Sequence, residues 1–201
     1  MAAHAQTPPL SSRYSWIMLV VVLILVLSIT AIIVVKVSGE WRPNDVSRLI
    51  REGVAAYRDG RYQDAAKLFA DAQRYAPEDP LVYIWSAQAK LELGMLDEAL
   101  AEVERALGRF PGQRMNLLDL KGDILTRMGR PREAIDSYRQ VIREGPRGYW
   151  EPWLKLGRLL EEQGNRLSAR ETYRELLRIN PASEEAQARL RALEDDATTK
   201  P

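Results

Sequence analysis

Side chains that perform acid–base or nucleophilic chemistry at neutral pH are scarce in this 201-residue sequence. The only histidine is His4, in a polar segment that also contains Pro8 and Pro9. An imidazole in such a segment is expected to be solvated rather than catalytic or metal-binding. There is no cysteine, which excludes disulfides, thiolate catalysis and cysteine-ligated zinc. These residue types predict neither a metal site nor a cofactor site.

Sequence motifs of the common enzyme classes are absent as well. No H-E-x-x-H, Walker A, G-x-S-x-G or G-x-G-x-x-G pattern occurs, so zinc proteases, P-loop enzymes, α/β-hydrolases and dinucleotide-binding enzymes are not indicated. Lys plus Arg (29) almost balances Asp plus Glu (28), whereas nucleic-acid-binding domains carry a positive excess. We therefore expect neither an enzyme nor a nucleic-acid-binding protein.

The most regular spacing in the sequence belongs to small residues and proline. Glycines recur at intervals of 34, 35 and 35 residues, at Gly60, Gly94, Gly129 and Gly164. Seven residues before each glycine lies a small residue: Gly53, Ala87, Gly122 and Gly157. Five residues after each glycine lies an alanine: Ala65, Ala99, Ala134 and Ala169. Nine residues after each glycine lies a bulky residue: Phe69, Val103, Tyr138 and Tyr173. Seventeen residues after each glycine lies a proline: Pro77, Pro111, Pro146 and Pro181.

These columns predict helical hairpins. The early small residue and the alanine let two helices approach closely, and the bulky residue lies one turn beyond the alanine on the same face. The glycine ends the first helix and accepts a positive φ in the turn. The proline stops the second helix. Apolar residues recur at helical spacing in the second repeat, with Asp97, Glu98, Glu102 and Glu104 expected on its opposite, solvated face.

The order small–Gly–Ala–aromatic–Pro resembles the tetratricopeptide repeat (TPR). The resemblance implies an all-α, TPR-type alpha-solenoid of four helix-turn-helix repeats at 46–79, 80–113, 115–148 and 150–183. Trp153 and Gly157 match the W-x-x-x-G opening, whereas Leu49 and Tyr83 replace the tryptophan in the first two repeats. Residues 184–201 are expected to form a capping helix and a frayed tail, with Ser183 as the N-cap.

A long apolar segment precedes the repeats. Residues 17–35 carry no charge and would cover about 28 Å as a helix, close to the thickness of a bilayer core. We therefore predict a polar tail at 1–15, a transmembrane helix at 16–37 and a linker at 38–45. The alternative is a cleaved signal peptide, but the segment is longer than an ordinary signal core and Lys36 lies within the only candidate cleavage site.

The predicted location is a single-pass membrane protein, in the bacterial inner membrane. Its orientation stays open. Positive charges are more numerous after the apolar segment, which favours a cytoplasmic repeat domain. A short N-terminus followed by one span and a large domain also suits an exported repeat domain, towards which the sequence leans slightly.

A binding groove is the functional site that the resemblance implies, because the first helices of successive TPR repeats line a concave surface. The candidate groove residues are Ile50, Val54, Tyr57, Leu81, Ile84, Gln88, Asp119, Asp123, Arg127 and Arg158. The first half of this set is largely apolar and the second half charged, which suits an amphipathic helix or an extended peptide. The competing interpretation is that Ile50, Val54 and Ile84 simply belong to the repeat core.

Other TPR binding modes are less well supported by the residues. A carboxylate clamp for chaperone C-termini would require Lys and Asn where Ile50 and Val54 stand. Five arginines of the third repeat are expected to pair with the acidic helix of the second, or else to bind an acidic partner or lipid headgroups: Arg127, Arg130, Arg132, Arg139 and Arg143. The sequence thus predicts a membrane-anchored scaffold for a protein or peptide partner. The alternatives are a chaperone-like module for unfolded chains and a self-assembling protein, that is, a homo-oligomer.

Overall fold

Helices make up almost all of the regular structure in the part of the chain that this computed structural model describes, residues 20–30, 43–146 and 148–199. No strand occurs in these ranges. The helices are α1 (20–30), α2 (Pro43–Arg58), α3 (Tyr62–Tyr75), α4 (Pro80–Glu92), α5 (Leu96–Arg109), α6 (Arg114–Arg127), α7 (Pro131–Glu144), α8 (Glu151–Glu162), α9 (Arg166–Ile179) and α10 (Glu184–Thr199). A short 3-10 helix at Pro111–Gln113 precedes α6.

Helix α1 lies in the first of two units, residues 1–45 and 46–201. Its hydroxyls are satisfied within the helix, because Ser28 Oγ donates to the carbonyl of Ile24 at 2.7 Å and Thr30 Oγ1 to that of Leu27 at 2.9 Å. Within the described ranges, no helix combines the length and the apolar composition needed to cross a bilayer. The other positions of the predicted transmembrane helix, 16–19 and 31–37, lie outside those ranges.

Four helical hairpins follow, and each turns at one of the regularly spaced glycines. Gly60, Gly94, Gly129 and Gly164 have φ values of 75°, 74°, 70° and 71°, a region that side chains with a Cβ avoid. In the first turn, Gly60 N–H donates to Tyr57 O at 3.0 Å and Arg61 N–H to Ala56 O at 2.8 Å. This is a Schellman motif, and the other three turns repeat it. The predicted helix-ending role of these glycines is confirmed.

The two helices of a hairpin touch where the small and bulky columns meet. A Cβ built on Gly53 would lie 2.7 Å from Cε1 of Phe69, and one built on Gly122 would lie 2.7 Å from Cδ1 of Tyr138. Real Cβ atoms do not approach other atoms so closely, so each aromatic ring requires a glycine opposite it. The second repeat instead has an alanine opposite a smaller residue, Val103, and both are fully buried.

Successive hairpins share a continuous apolar core. Buried side chains of α4 to α9 form one cluster, and α10 adds Ala186 and Leu193 to it. Ser183 Oγ accepts the Ala186 N–H at 3.4 Å at the start of α10. A smaller cluster around Phe69 and Ala89 joins the first repeat to the second. The fold class is therefore confirmed for the repeats: an all-helical, TPR-type solenoid.

Two features differ from the expectation. Helix α2 begins at Pro43, inside the segment predicted as linker, because proline fits the first turn of a helix. Glu102 is fully buried rather than solvated. It accepts hydrogen bonds from Gln73, Lys90 and Ser86, the last at 3.1 Å, so donors from two neighbouring helices satisfy its charge.

Candidate functional site

The first helices of repeats two, three and four line a trough. Its first depression, about 320 Å³, is lined by Leu81, Ile84, Trp85, Gln88, Asn116, Asp119, Leu120, Asp123, Tyr149 and Lys155. The second, about 550 Å³, is lined by Leu91, Glu92, Asp123, Thr126, Arg127, Tyr138, Lys155, Arg158, Leu159 and Glu162. Because Asp123 and Lys155 line both depressions, the two are adjacent. We call this surface the trough.

The structure brings seven of the ten candidate residues to the trough. Leu81, Ile84, Gln88 and Asp119 line the first depression, Arg127 and Arg158 the second, and Asp123 both. Ile84 is also 9% exposed and part of the core, so it serves as the floor of the depression and as packing. Leu81 is 46% exposed, so its side chain is available to a partner.

The three candidates of α2 lie apart from the trough's lining. Val54 and Tyr57 pack against the small cluster of the first repeat, and the ring of Tyr57 meets those of Tyr62 and Trp85 edge-on, at centroid distances of 5.3 and 5.5 Å. Ile50 is half-buried. Burial, followed by the charge of Glu92, raises the pKa of Tyr57, so its phenol stays protonated.

Charge in the trough centres on Lys155. Its Nζ lies 2.8 Å from Asp119 Oδ2 and 2.7 Å from Asp123 Oδ2. Tyr138 donates to Asp123 Oδ1 at 2.8 Å, and Tyr149 donates to Asp119 Oδ2 at 3.3 Å. Asp119 Oδ1 is buried and receives no hydrogen bond from the described residues. One cation therefore serves two carboxylates, and one carboxylate oxygen has no donor.

Burial and neighbouring charges act differently on the pKa values of Asp119 and Lys155. Burial raises the pKa of Asp119, and the charge of Lys155 only partly opposes this. Burial also disfavours the charged form of Lys155, but the two carboxylates outweigh it and raise the pKa of the ammonium group. Lys155 is thus firmly charged, whereas Asp119 is less well stabilised as an anion.

Arg158 lines the second depression of the trough and forms an ion pair with the capping helix, α10. It donates to both carboxylate oxygens of Glu185, with Nε at 2.7 Å from Oε1. Arg189 Nε donates to the same Oε1 at 2.8 Å, and its Nη1 to Glu161 Oε2 at 2.7 Å. The hydrogen bonds from Arg158 and then Arg189 lower the pKa of Glu185 to about 2. This network joins α10 to α8.

The arginines of the third repeat pair differently from the expectation. Arg127 lies 3.7 Å from Glu92 on α4, and Arg130 lies 2.7 Å from Glu133 in its own repeat. The acidic helix α5 instead pairs Glu104 with Lys121, at 2.8 Å. Arg127 and Arg130 thus make these ion pairs outside α5, although the charges of Glu104 and Asp97 on α5 add to the pKa increase that the hydrogen bond to Glu133 chiefly causes at Arg130.

Sequence reasoning missed Trp85, Leu120 and Lys155, which are all the sixth residue of their repeats. Counted from the first residue of each repeat, the ten candidates stand at positions 2, 5, 9, 12 or 13, which leaves out position six. Residue six lies one position after a groove residue, and in the fourth repeat its side chain, Lys155, reaches the first helix of the third repeat. A lysine at this position, one repeat after a pair of aspartates four residues apart, was the available signal.

Comparisons with known proteins agree with this architecture. Family models described as "Tetratricopeptide repeat" match residues 56–123 and 120–184. Among solved structures, the thermophilic TPR protein TTC0263 of Thermus thermophilus aligns with a TM-score of 0.63 at 23% identity, over 76% of this chain and 82% of that one. YrrB, a "TPR protein with an unusual peptide-binding site", aligns with a TM-score of 0.55 at 15% identity, over 76% and 77%.

A curated relative is similar over a shorter stretch. The TPR repeat-containing protein YsoA of Bacillus subtilis (strain 168) is 28% identical over 102 residues, or 51% of this chain. The aligned stretch spans 30% of YsoA. The family models, the aligned structures and the repeated Gly-turned hairpins all lead to one assignment: the chain belongs to the tetratricopeptide repeat family.

Proposed function

We propose that this protein is a scaffold that binds a protein or peptide partner in the trough. The observation that carries the proposal is the adjacent pair of depressions on the first helices of three successive repeats. TPR proteins are generally non-enzymatic scaffolds that bind protein or peptide partners. No group of three or more acidic residues or histidines in the described ranges is arranged to hold a metal ion.

The exposure of the trough's residues supports binding beyond mere core packing. Ile84 and Leu91 are buried in the core. Leu81 and Glu92, in contrast, are exposed, and Gln88 and Asp119 are half-buried. An exposed leucine beside half-buried polar groups forms an apolar anchor point with hydrogen-bonding groups around it, which is the composition of a binding site.

Site-specific photo-crosslinking in cells tests this proposal. A photoreactive amino acid at Leu81 is expected to crosslink to one discrete protein. The same amino acid at Leu167, which is 73% exposed on α9 and outside the trough, is expected to give no such product. Equal products from both positions would contradict the proposal. Many weak products at Leu81 would favour a chaperone-like module, and products with a second copy of this chain would favour self-assembly.

We further propose that the scaffold is anchored in a membrane by one span over residues 16–37, in the bacterial inner membrane with an exported repeat domain. The uncharged run of residues 17–35 supports the anchor. Helix formation over residues 20–30, with both hydroxyls bonded inside the helix, is consistent with it. Nearly apolar helices of this kind tolerate lipid because their polar groups are satisfied internally.

Fractionation and protease protection test the anchor and its orientation. The uncleaved protein is expected in the membrane fraction after a carbonate wash. Protease added to spheroplasts is expected to degrade the repeats. Recovery of the uncleaved protein in the soluble fraction would contradict the anchor, and degradation only after membrane lysis would place the repeats in the cytoplasm.

A further inference from the structure

The charges around the trough do not balance. Four carboxylates line it, those of Glu92, Asp119, Asp123 and Glu162, against three cations, those of Arg127, Lys155 and Arg158. One of these cations, Arg158, is also paired from outside the trough with Glu185 on the capping helix, a carboxylate that it shares with Arg189. At most three cations therefore face four carboxylates, and the surface that faces a partner is negative.

The contacts inside the trough show the same deficit at atomic detail. Lys155 is shared by Asp119 and Asp123. Arg127 pairs with Glu92 at a long distance, 3.7 Å between Nη2 and Oε2. Glu162 is exposed on the rim, and Asp119 Oδ1 has no donor from the described residues. Carboxylates so poorly compensated are stabilised by any further cation that comes within a few ångströms of them.

Apolar side chains lie directly beside this negative region. Leu81 is 46% exposed, and Trp85 is partly exposed and lines the same depression as Asp119. The stem of a lysine or arginine packs along apolar surface while its charged end reaches polar groups. The depression thus offers apolar surface for the stem of a long basic side chain and carboxylates for its charged end.

From this charge balance and this juxtaposition, we infer that the trough takes a peptide segment whose basic side chains are flanked by an aliphatic or aromatic anchor. The inference rests on the proposed function and names the chemistry of the partner. The basic side chains meet Asp119, Asp123 and Glu162, and the anchor packs against Leu81 and Trp85. Acidic segments are rejected because they would add charge of the same sign.

Panning a displayed library of random peptides on the full-length protein in detergent tests this inference. The enriched peptides are expected to carry Lys or Arg next to an aliphatic or aromatic residue. Glu162→Gln is expected to weaken their binding by about two- to fivefold, as loss of one partly exposed ion pair does. Asp119→Asn is expected to weaken it at least as much. Glu98→Gln, the same charge change on the exposed face of α5, is expected to leave it unchanged.

The outcomes separate this inference from the proposed function. Peptides that lose binding on Leu81→Asn but carry no basic residues would overturn the inference and leave the trough as the binding site. Basic peptides equally sensitive to Glu98→Gln and Glu162→Gln would show diffuse charge attraction and also overturn it. Peptides insensitive to every trough substitution would overturn the proposed function itself.

Discussion

Lys155 Nζ lies 2.8 Å from Asp119 Oδ2 and so joins the first helix of the fourth repeat to that of the third. The same nitrogen lies 2.7 Å from Asp123 Oδ2. Since Asp119 and Asp123 are four residues apart on α6, their like charges lie on one helix face. The lysine therefore compensates a repulsion within α6 while it fixes the spacing of two trough-lining helices.

Removing this lysine should destabilise the repeats more than the loss of an exposed ion pair does. Lys155→Met leaves two partly buried carboxylates without their cation, at an expected cost of about 2–4 kcal/mol in the free energy of unfolding. Asp119→Asn in the same protein removes one of the two charges and should recover part of that loss. Urea denaturation of the two single variants and the double variant measures the coupling.

The matched control for that cycle is Lys67→Met on the exposed face of α3. It should change the free energy of unfolding by less than about 0.5 kcal/mol. If Lys155→Met were equally harmless, or if Asp119→Asn brought no recovery, Lys155 would not hold the trough's helices in place.

Glycines inside helices should respond in opposite directions to the same substitution. Gly122→Ala places a methyl group against the ring of Tyr138 and should destabilise by about 1–3 kcal/mol through overpacking. Gly108→Ala in α5 meets nothing within 4 Å and should stabilise by about 0.5–1 kcal/mol, because alanine favours a helix. Thermal and urea unfolding check both signs. Two changes of the same sign would refute the packing argument.

The second repeat suggests which second substitution would relieve the overpacking caused by an alanine in place of a helix glycine. Its pair, Ala87 and Val103, combines a methyl group with a smaller opposite side chain. In the first repeat, Gly53→Ala combined with Phe69→Val should therefore cost less than the sum of the two single changes. Strict additivity in urea unfolding would mean that the two columns do not compensate each other.

Acid should loosen the capping helix. The pKa of Glu185 is about 2 in the folded protein, against an ordinary value of 4.5, because Arg158 and Arg189 donate to its carboxylate. A pKa lowered by folding contributes stability that is present above pH 4.5 and is lost as the pH falls towards 2. Glu185→Gln should thus destabilise the protein at pH 6, with a difference from wild type that shrinks between pH 4.5 and 2.

Urea unfolding across this pH range measures that difference, and Glu184→Gln is the control, since its carboxylate is exposed one residue earlier on α10. A difference that stays constant from pH 6 to pH 2 would contradict the role of Glu185. So would an equal effect of Glu184→Gln.

The buried carboxylate of Glu102 should be required for the junction of the first two repeats. Glu102→Ala leaves Gln73, Ser86 and Lys90 without their acceptor, with an expected cost of about 3–5 kcal/mol. Glu102→Gln retains an acceptor oxygen and should cost less. Hydrogen exchange should show the loss mainly in α3, α4 and α5. A loss spread evenly to α9 would argue against a local role.

The sequence predicted the hairpins well because their signals are local. A glycine that must take a positive φ and a proline that ends a helix act within a few residues, so their 34–35-residue spacing identifies the turns directly.

The trough was only partly predictable. Asp119, Asp123 and Arg158 were chosen from repeat positions, but Lys155 reaches the aspartates across a repeat boundary, and Glu185 holds Arg158 from the capping helix. Such contacts depend on how neighbouring repeats stack. Burial of Glu102 was missed for the same reason, because its donors come from α3 and α4.

The binding role of the trough is tested most directly by measuring how tightly this chain binds its partner. The partner is the protein that crosslinks at position 81, used in purified form. Biolayer interferometry would compare wild type with Leu81→Asn and Leu167→Asn, two neutral polar side chains that replace exposed leucines inside and outside the trough. We predict that Leu81→Asn weakens binding by at least about tenfold and that Leu167→Asn leaves it unchanged. Equal affinity of both variants and wild type would contradict binding in the trough.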